Sequence, residues 1–307
     1  MDGMSISDLG SIVLMQGFNG LSVFSVLLLM GLGLAIIFGQ MGIINMAHGE
    51  FLTIGAYTTY LFSKLTATYF PAMMPYYFLF AIVGAFIFGG AVGYLVEMSM
   101  VRYLYRRPLD SLLATWGLSL IMQQTFRSTF GAREVSATLP DWLLGSWHPG
   151  GSVDIPLNGL FVMAVTLLLT VGVGIFMFRS HWGLQMRATI QNRVMAGAVG
   201  INTARVDRLT FTIGCGIAGI AGACFTTIGS TGPTSGSAYI VDAFLTVVFG
   251  GAQSLLGTVA SAFSIAQTSS TLEFFITGSM AKVITLMSII VILMIRPEGL
   301  FSFKVRK

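Results

Sequence analysis

Within residues 43–56, INMAHGEFLTIGAY, an asparagine, a histidine and a glutamate fall inside six positions of an otherwise apolar stretch. Such groups could transfer a proton, contact a polar solute or satisfy local backbone. On a helix over 49–60, Glu50, Thr53 and Tyr57 share one face at i, i+3 and i+7, whereas His48 and Glu50, two apart, diverge. That spacing argues against a proton-transfer pair. Glu50 reads instead as a carboxylate in a first helical turn, where it meets N–H groups and the helix dipole. His48, Gly49 and Glu50 then mark a bend beside a solute pathway to which Asn45, Thr53 and Tyr57 contribute.

A second segment has the same design. FGQMGIINMAHGEFLTIGAY begins at Phe38 and FGGAQSLLGTVASAFSIAQT at Phe249. Each has Phe-Gly, a small-residue break (Gly250 and Gly251 in the second) and a helix-compatible stretch. Paired Gly-interrupted segments in the two ends of a membrane chain point to a pathway near the midplane. Opened turns are tolerated in lipid only where they line a cavity or are packed in protein. Ser254, Thr258, Ser261, Ser264 and Thr268 track one face. The stripe reads two ways: Ser254, Thr258 and Ser261 line a passage for a neutral polar solute, or the hydroxyls bond between helices.

The elements that carry these residues follow from composition. The chain has 307 residues, 55% hydrophobic and 9% charged, against about 25% charged in soluble domains. Uncharged runs at 21–49, 65–96, 155–178, 209–241 and 243–272 each exceed the ~20 residues that cross a bilayer as helix. The fold class is an all-α polytopic membrane protein, one transmembrane domain over 1–307, with about eight or nine crossings and two Gly-broken helices. MDGMSISDLG has no basic n-region, so no cleaved signal peptide is indicated. Cys215 and Cys224 read as small core residues.

Basic residues set the orientation. They cluster at Arg102, Arg106 and Arg107; at Arg179, Arg187, Arg193, Arg205 and Arg208; and at Arg296, Lys304, Arg306 and Lys307. Basic loops stay in the cytoplasm, so the N-terminus lies outside and the C-terminus inside. A short interfacial helix over 5–17 precedes crossings at about 20–39 and 50–63. An external turn at 64–75, crossings at 76–100 and 110–129, and a long external loop at 130–156 follow. A crossing at 157–178 leads to a cytoplasmic loop at 179–208. After a crossing at 209–229, the region 240–295 crosses three times, broken near Gly250–Gly251 and Gly278. Glu97 pairs with Arg102 or snorkels. Gln123, Gln124 and Arg127 face a cavity or a partner. Asp242 reads as an N-terminal cap, and Glu273 and Lys282 lie at the outer interface.

Several function classes are excluded. No glycine-rich phosphate loop precedes any of the four lysines, so ATP hydrolysis would fall to other chains. His48, His148 and His181 lack metal-ligand spacing, and the last two read as surface residues. No catalytic set, metal, cofactor or nucleic-acid surface is expected. The 179–208 loop holds a short surface helix with Met186, Ile190 and Val194 on one face. Its small-residue patch from Ala196 to Gly200 suits close approach by another protein, or the loop is a basic segment touching anionic lipid.

GLGLAIIFGQMGIINMAHGEFLTIGAYTTY resembles the signature of permease subunits of bacterial ABC importers of the branched-chain amino acid family. MRATIQNRVMAGAVGINTARVDRLTFTIGCGIAGIAG is similar to their cytoplasmic coupling region, with Ala196 and Gly200 at its Ala-x-x-x-Gly core and Val194 replacing the usual Glu. LATWGLSLIMQQ (113–124), GSAYIVDAFLTVVFGG (236–251) and RPEGLF (296–301) resemble the urea-importing branch most; Gln253 departs from a glycine common there. The resemblance implies an inner-membrane permease moving urea or a small amide, with branched-chain or other amino acids as the alternative. It implies a related second permease, two ATP-binding subunits contacted through Arg187, Arg193, Ala196, Gly197 and Gly200, and an external solute-binding protein. From another class, a passive channel or secondary transporter is the alternative.

Overall fold

Continuous apolar runs in lipid must satisfy every backbone N–H and C=O internally, which helices do. The computed structural model is a helical bundle, and it describes residues 6–105, 107–147, 154–251, 254–296 and 299. Arg106, His148, Gln253 and the tail residues Lys304, Arg306 and Lys307 lie outside the described residues.

α1 (Ile6–Met41) is one uninterrupted helix, with no separate interfacial helix at 5–17. Neither Gly17 nor Gly20 stops it, because a helical glycine costs only ~1 kcal/mol relative to alanine. α2 (His48–Tyr69) follows a break, and α3 (Tyr77–Val96) follows a short 3-10 turn at Pro71–Met73, so the external turn is shorter than 64–75. A π turn at Glu97–Val101 and α4 (Arg102–Leu104) extend α3. α5 (Pro108–Phe130) starts with proline in its first turn, where the missing N–H costs nothing. In the following loop β1 (Ser146–Trp147) and β2 (Ile155–Pro156) pair antiparallel, Ser146 opposite Pro156. An isolated bridge joins Val135 to Thr231.

α6 (Leu157–Arg179) leads to α7 (His181–Gln191) and α8 (Arg193–Ala198). The Asn192 side chain accepts the Met195 N–H at 3.0 Å and caps α8. That cap ends the helix expected to align Met186, Ile190 and Val194: Met186 is buried and Val194 is 81% exposed. α9 (Thr203–Phe225) begins early, so Arg205 and Arg208 belong to its first turns and the loop is shorter than 179–208. α10 (Ser235–Gly250), α11 (Leu255–Phe275) and α12 (Gly278–Ile295) fill the last third, with breaks beside Gly251 and Gly278.

The core is α9, buried from Gly214 to Thr227 against α1, α2 and α3. Backbones touch where side chains are absent: a Cβ on Gly55 or Gly219 would overlap the facing helix's backbone. Such small-residue contacts replace the hydrophobic driving force that lipid removes. α5, α6 and α12 turn large apolar side chains outward, among them Leu113, Ile121, Leu168, Met287 and Met294. Among the described residues, five helices are long and apolar enough to cross a membrane: Leu14–Met41, Tyr77–Leu104, Leu157–Arg179, Thr203–Phe225 and Gly278–Ile295. α10, with 16 residues, is about 24 Å long against an apolar layer of about 30 Å. The break at its end therefore falls inside the layer when Ser235 sits at the surface.

Candidate functional site

At the first break Gly42 takes φ +66°, a conformation favouring glycine. Asn45 Oδ1 accepts the Ala47 N–H at 3.1 Å, and its carbonyl accepts the His48 N–H at 3.2 Å. Asn45 thus closes the turn through its side chain and its carbonyl. His48 is fully buried, with Nε2 3.3 Å from the Met30 carbonyl of α1. A carbonyl can only accept, so Nε2 carries the proton in this contact. Gly49 lets α10 cross α2, since a Cβ there would overlap the Gly236 carbonyl.

Glu50 does not serve the N–H groups at the start of α2. Its Oε1 accepts from Ser119 Oγ at 2.9 Å and Gln123 Nε2 at 2.8 Å, both on α5. The first turn of α2 aims the side chain sideways, and Ala47 at the N-cap makes no side-chain cap bond. Tyr57, on the same side, stacks on Phe130 of α5 with ring centroids 4.1 Å apart. Thr53 turns toward α10, where its Oγ1 accepts the Gly236 N–H at 3.0 Å. The expected common face therefore splits: Glu50 and Tyr57 hold α5, and Thr53 holds α10. Gln123 joins this polar seam, while Gln124 and Arg127 point outward from it.

Gly251 takes φ +90° at the second break. Ser254 caps α11 by accepting the Gly257 N–H at 3.0 Å. Thr258 donates back to the Ser254 carbonyl at 3.1 Å, and Ser261 donates to the Thr246 carbonyl of α10. Gly250 sits against Gly257, with no space for a Cβ on either. All three hydroxyls are buried and bond to their own helix or to α10; Ser264 and Thr268 are exposed.

Other ionisable groups are also repartnered. Asp242 is inside α10, not at its cap, and pairs with Lys282 of α12 at 2.9 Å. Buried Glu97 pairs with Arg208 Nε at 3.1 Å and accepts the Tyr105 hydroxyl at 2.5 Å, not Arg102. Burial first, and then the Glu97 carboxylate, push the Tyr105 phenol above its usual range, so it stays a donor.

In the segment from α7 to α9 the expected contact residues separate. Arg187 donates to the Met177 carbonyl and lies over Phe178, folded back on α6. Arg193 pairs with fully buried Asp207 of α9, and Ala196 is buried. Gly197 and Gly200, the latter at φ +91°, have open space around them. The outward side of α8 and its C-cap is made of Val194, Met195 and Val199, at 81%, 61% and 76% exposure. Sequence reasoning missed Asp207 and Met195, and placed Val194 on the face of buried Met186 rather than outward. The signal was present: a lone acid among five arginines, and an N-cap asparagine that resets the helix phase.

The family model described as the permease component of the branched-chain amino acid transport system matches residues 17–293. The chain belongs to this permease family. The permease is 29% identical to the high-affinity branched-chain amino acid transport system permease protein LivH of Escherichia coli (strain K12), over 94% of this chain and 95% of that one. It is 28% identical to the corresponding BraD of Pseudomonas aeruginosa, with the same coverage. It is also 27% identical to LivM of Escherichia coli (strain K12), over 89% of this chain and 67% of that protein. No solved structure matches. The permease is thus a multi-pass inner-membrane component of an ABC importer.

Proposed function

We propose that this permease forms one half of the membrane passage of an importer driven by ATP hydrolysis on separate chains. The observation that carries this reading is α8, which presents Val194, Met195 and Val199 outward from a segment flanked by arginines. Contiguous exposed apolar residues at a polar surface mark a protein-docking site, and a stand-alone channel has no use for one. In this reading α8 faces the cytoplasm, the N-terminus lies outside and the C-terminus inside, as the positive-inside rule requires. Two ATP-binding subunits dock at α8 and its counterpart, a related second permease packs against the outward face of α5, and a solute-binding protein delivers from outside. LivH and LivM, both similar to this chain, are permease proteins named for the same transport system.

The solute proposed first is a branched-chain amino acid, which the relatives' names favour. Glu50 is the acid that can meet an ammonium along the α2–α5 seam. The counter-charge for the amino acid's carboxylate then comes from the second permease, because Arg127 points outward from this seam. Urea is the second reading, favoured by LATWGLSLIMQQ, GSAYIVDAFLTVVFGG and RPEGLF, and by the neutral partners Ser119 and Gln123. A neutral solute avoids the large cost of carrying charge into the membrane. Uptake of labelled leucine and labelled urea by the reconstituted complex with its binding protein decides between them. ATP-dependent leucine uptake alone supports the first reading, and urea alone the second. Uptake of neither, with ATP hydrolysis intact, rejects both solutes.

A further inference from the structure

The first α1 break lies close to α8 through one buried carboxylate. Asp207, at 0% exposure on the second turn of α9, takes Arg193 from the start of α8 and the Gln40 Nε2 from the last turn of α1, the latter at 3.3 Å. Gln40 is two residues before Gly42, where the helix opens. Arg193 also lies over the Tyr105 ring, 5.4 Å from its centroid, and Tyr105 bonds Glu97, the acid of the π turn, which in turn pairs with Arg208. Three junctions therefore share one network: the docking helix, the α1 break and the π turn that follows α3.

The packing around Gln40 is open elsewhere. A cavity of about 240 Å³ lies on one side, walled by Gly39, Met186, Ile190, Ser254 and Leu255. Another, of about 590 Å³, lies on the other, walled by Arg102, Tyr105, Thr189 and Arg193. Both are open grooves: Ile37, Phe38 and Met41 pack this end of α1 on the core, and on the grooved side the Asp207 contact is the polar link that holds Gln40. Gln40 Oε1 is buried and finds no partner among the described residues. Such an acceptor is costly in one fixed state and has a use where the contact rearranges.

We infer that Asp207 is the positioning residue through which the docking helix governs the α1 break, with Arg193 as the input and Gln40 as the output. The inference rests on the reading of α8 as the ATPase contact. Motion of α8 pulls Arg193, Asp207 shares its oxygens differently between Arg193 and Gln40, and the turn at Gly42 is released or held.

The test uses the complete importer in proteoliposomes and measures solute moved per ATP hydrolysed. Gln40→Met removes the output and leaves the Arg193–Asp207 pair intact. The expected result is normal assembly, ATP hydrolysis within about twofold of wild type, and at least a fivefold fall in solute moved per ATP. A second variant, Arg193→Met with Asp207→Leu, replaces the whole pair by apolar groups of similar size, an exchange that proteins often tolerate. It should assemble and show the same uncoupling. An unchanged transport ratio in either assembled variant overturns the inference. Loss of assembly in Gln40→Met also overturns it, because the contact would then be structural. A wild-type complex that hydrolyses ATP without moving either solute would instead count against the proposed function.

Discussion

Replacing Glu50 by leucine tests how α5 is held. α5 packs along α2 and the turn before it; the polar part of that contact is a Glu50 oxygen accepting from Ser119 and Gln123 and, at the turn, the Met46 N–H donating to Thr115 Oγ1 at 3.1 Å. Leucine removes the acceptor and leaves one buried donor, Ser119, and one half-buried donor, Gln123. An unsatisfied buried donor costs about 1–3 kcal/mol, and Gln123 adds less because it can turn to other partners. Partial rebonding offsets some of this, because Gln123 Nε2 already lies 3.1 Å from Ser119 Oγ. Glutamine at position 50 keeps an acceptor in place, and its cost is expected at about 1 kcal/mol or less. Glu50→Leu should therefore lose α5 docking and with it the stacking of Tyr57 on Phe130. The assay pairs thermal unfolding of the purified complex with accessibility of a cysteine placed at Thr125, an exposed position on α5. Glu50→Leu should unfold at lower temperature and alter labelling of that cysteine, while Glu50→Gln stays near wild type in both and keeps part of the uptake. Wild-type stability and labelling in Glu50→Leu would refute this account. Normal assembly with no uptake in Glu50→Gln would show that the charge itself acts on the solute.

Val199→Asp should leave the isolated permease within ~0.5 kcal/mol of wild-type stability, as exposed substitutions do, yet reduce co-purification of the ATP-binding subunits; full co-purification would move the docking face elsewhere. Gly55→Val should prevent the folded subunit from accumulating, because α9 backbone occupies the space, whereas Gly172→Val, with nothing within 4 Å, should be tolerated; detergent size-exclusion profiles compare the two. Lys282→Met should destabilise by roughly 1–3 kcal/mol, the range between exposed and buried pairs, since Lys282 is partly exposed and Asp242 much less so. Adding Asp242→Asn should recover part of that loss in thermal unfolding, and additive losses would show that the two charges do not interact.

Glycine made the breaks legible in the sequence. Gly42 and Gly251 adopt left-handed conformations where the small-residue runs interrupt the helices. Helix phase was legible only while the helix stayed regular, so Met186 and Val194 parted once Asn192 capped α8. Partnership across the bundle was not legible at all. Glu50 meets residues 69 and 73 positions away, and Glu97 meets Arg208 111 positions away. Asp242 looked like a cap because an apolar run follows it, but α10 starts seven residues earlier and the pairing lysine comes from α12. A hydroxyl stripe has the same spelling whether it faces water or a neighbouring carbonyl. Thr258 and Ser261 are buried against α10 and their own helix, which no periodicity distinguishes from a pore wall.

The π turn at Glu97–Val101 makes chain length itself a variable at the C-terminal end of α3. A π turn holds one more residue than the α-helical turn it replaces, so the extra residue is absorbed within that turn and the chain leaves it in nearly the phase of a regular helix. Omitting one residue there, for example Met98, would let the segment close into regular helix and keep Tyr105 on the same side, toward Glu97 and the Arg193 guanidinium. Omitting one residue from the regular helix before it, where each residue turns the chain by about 100°, would swing the same groups away. A protein of 306 residues would then keep or lose the alignment of the network according to where the residue was taken out, which separates the role of geometry from that of composition in a way that no substitution can.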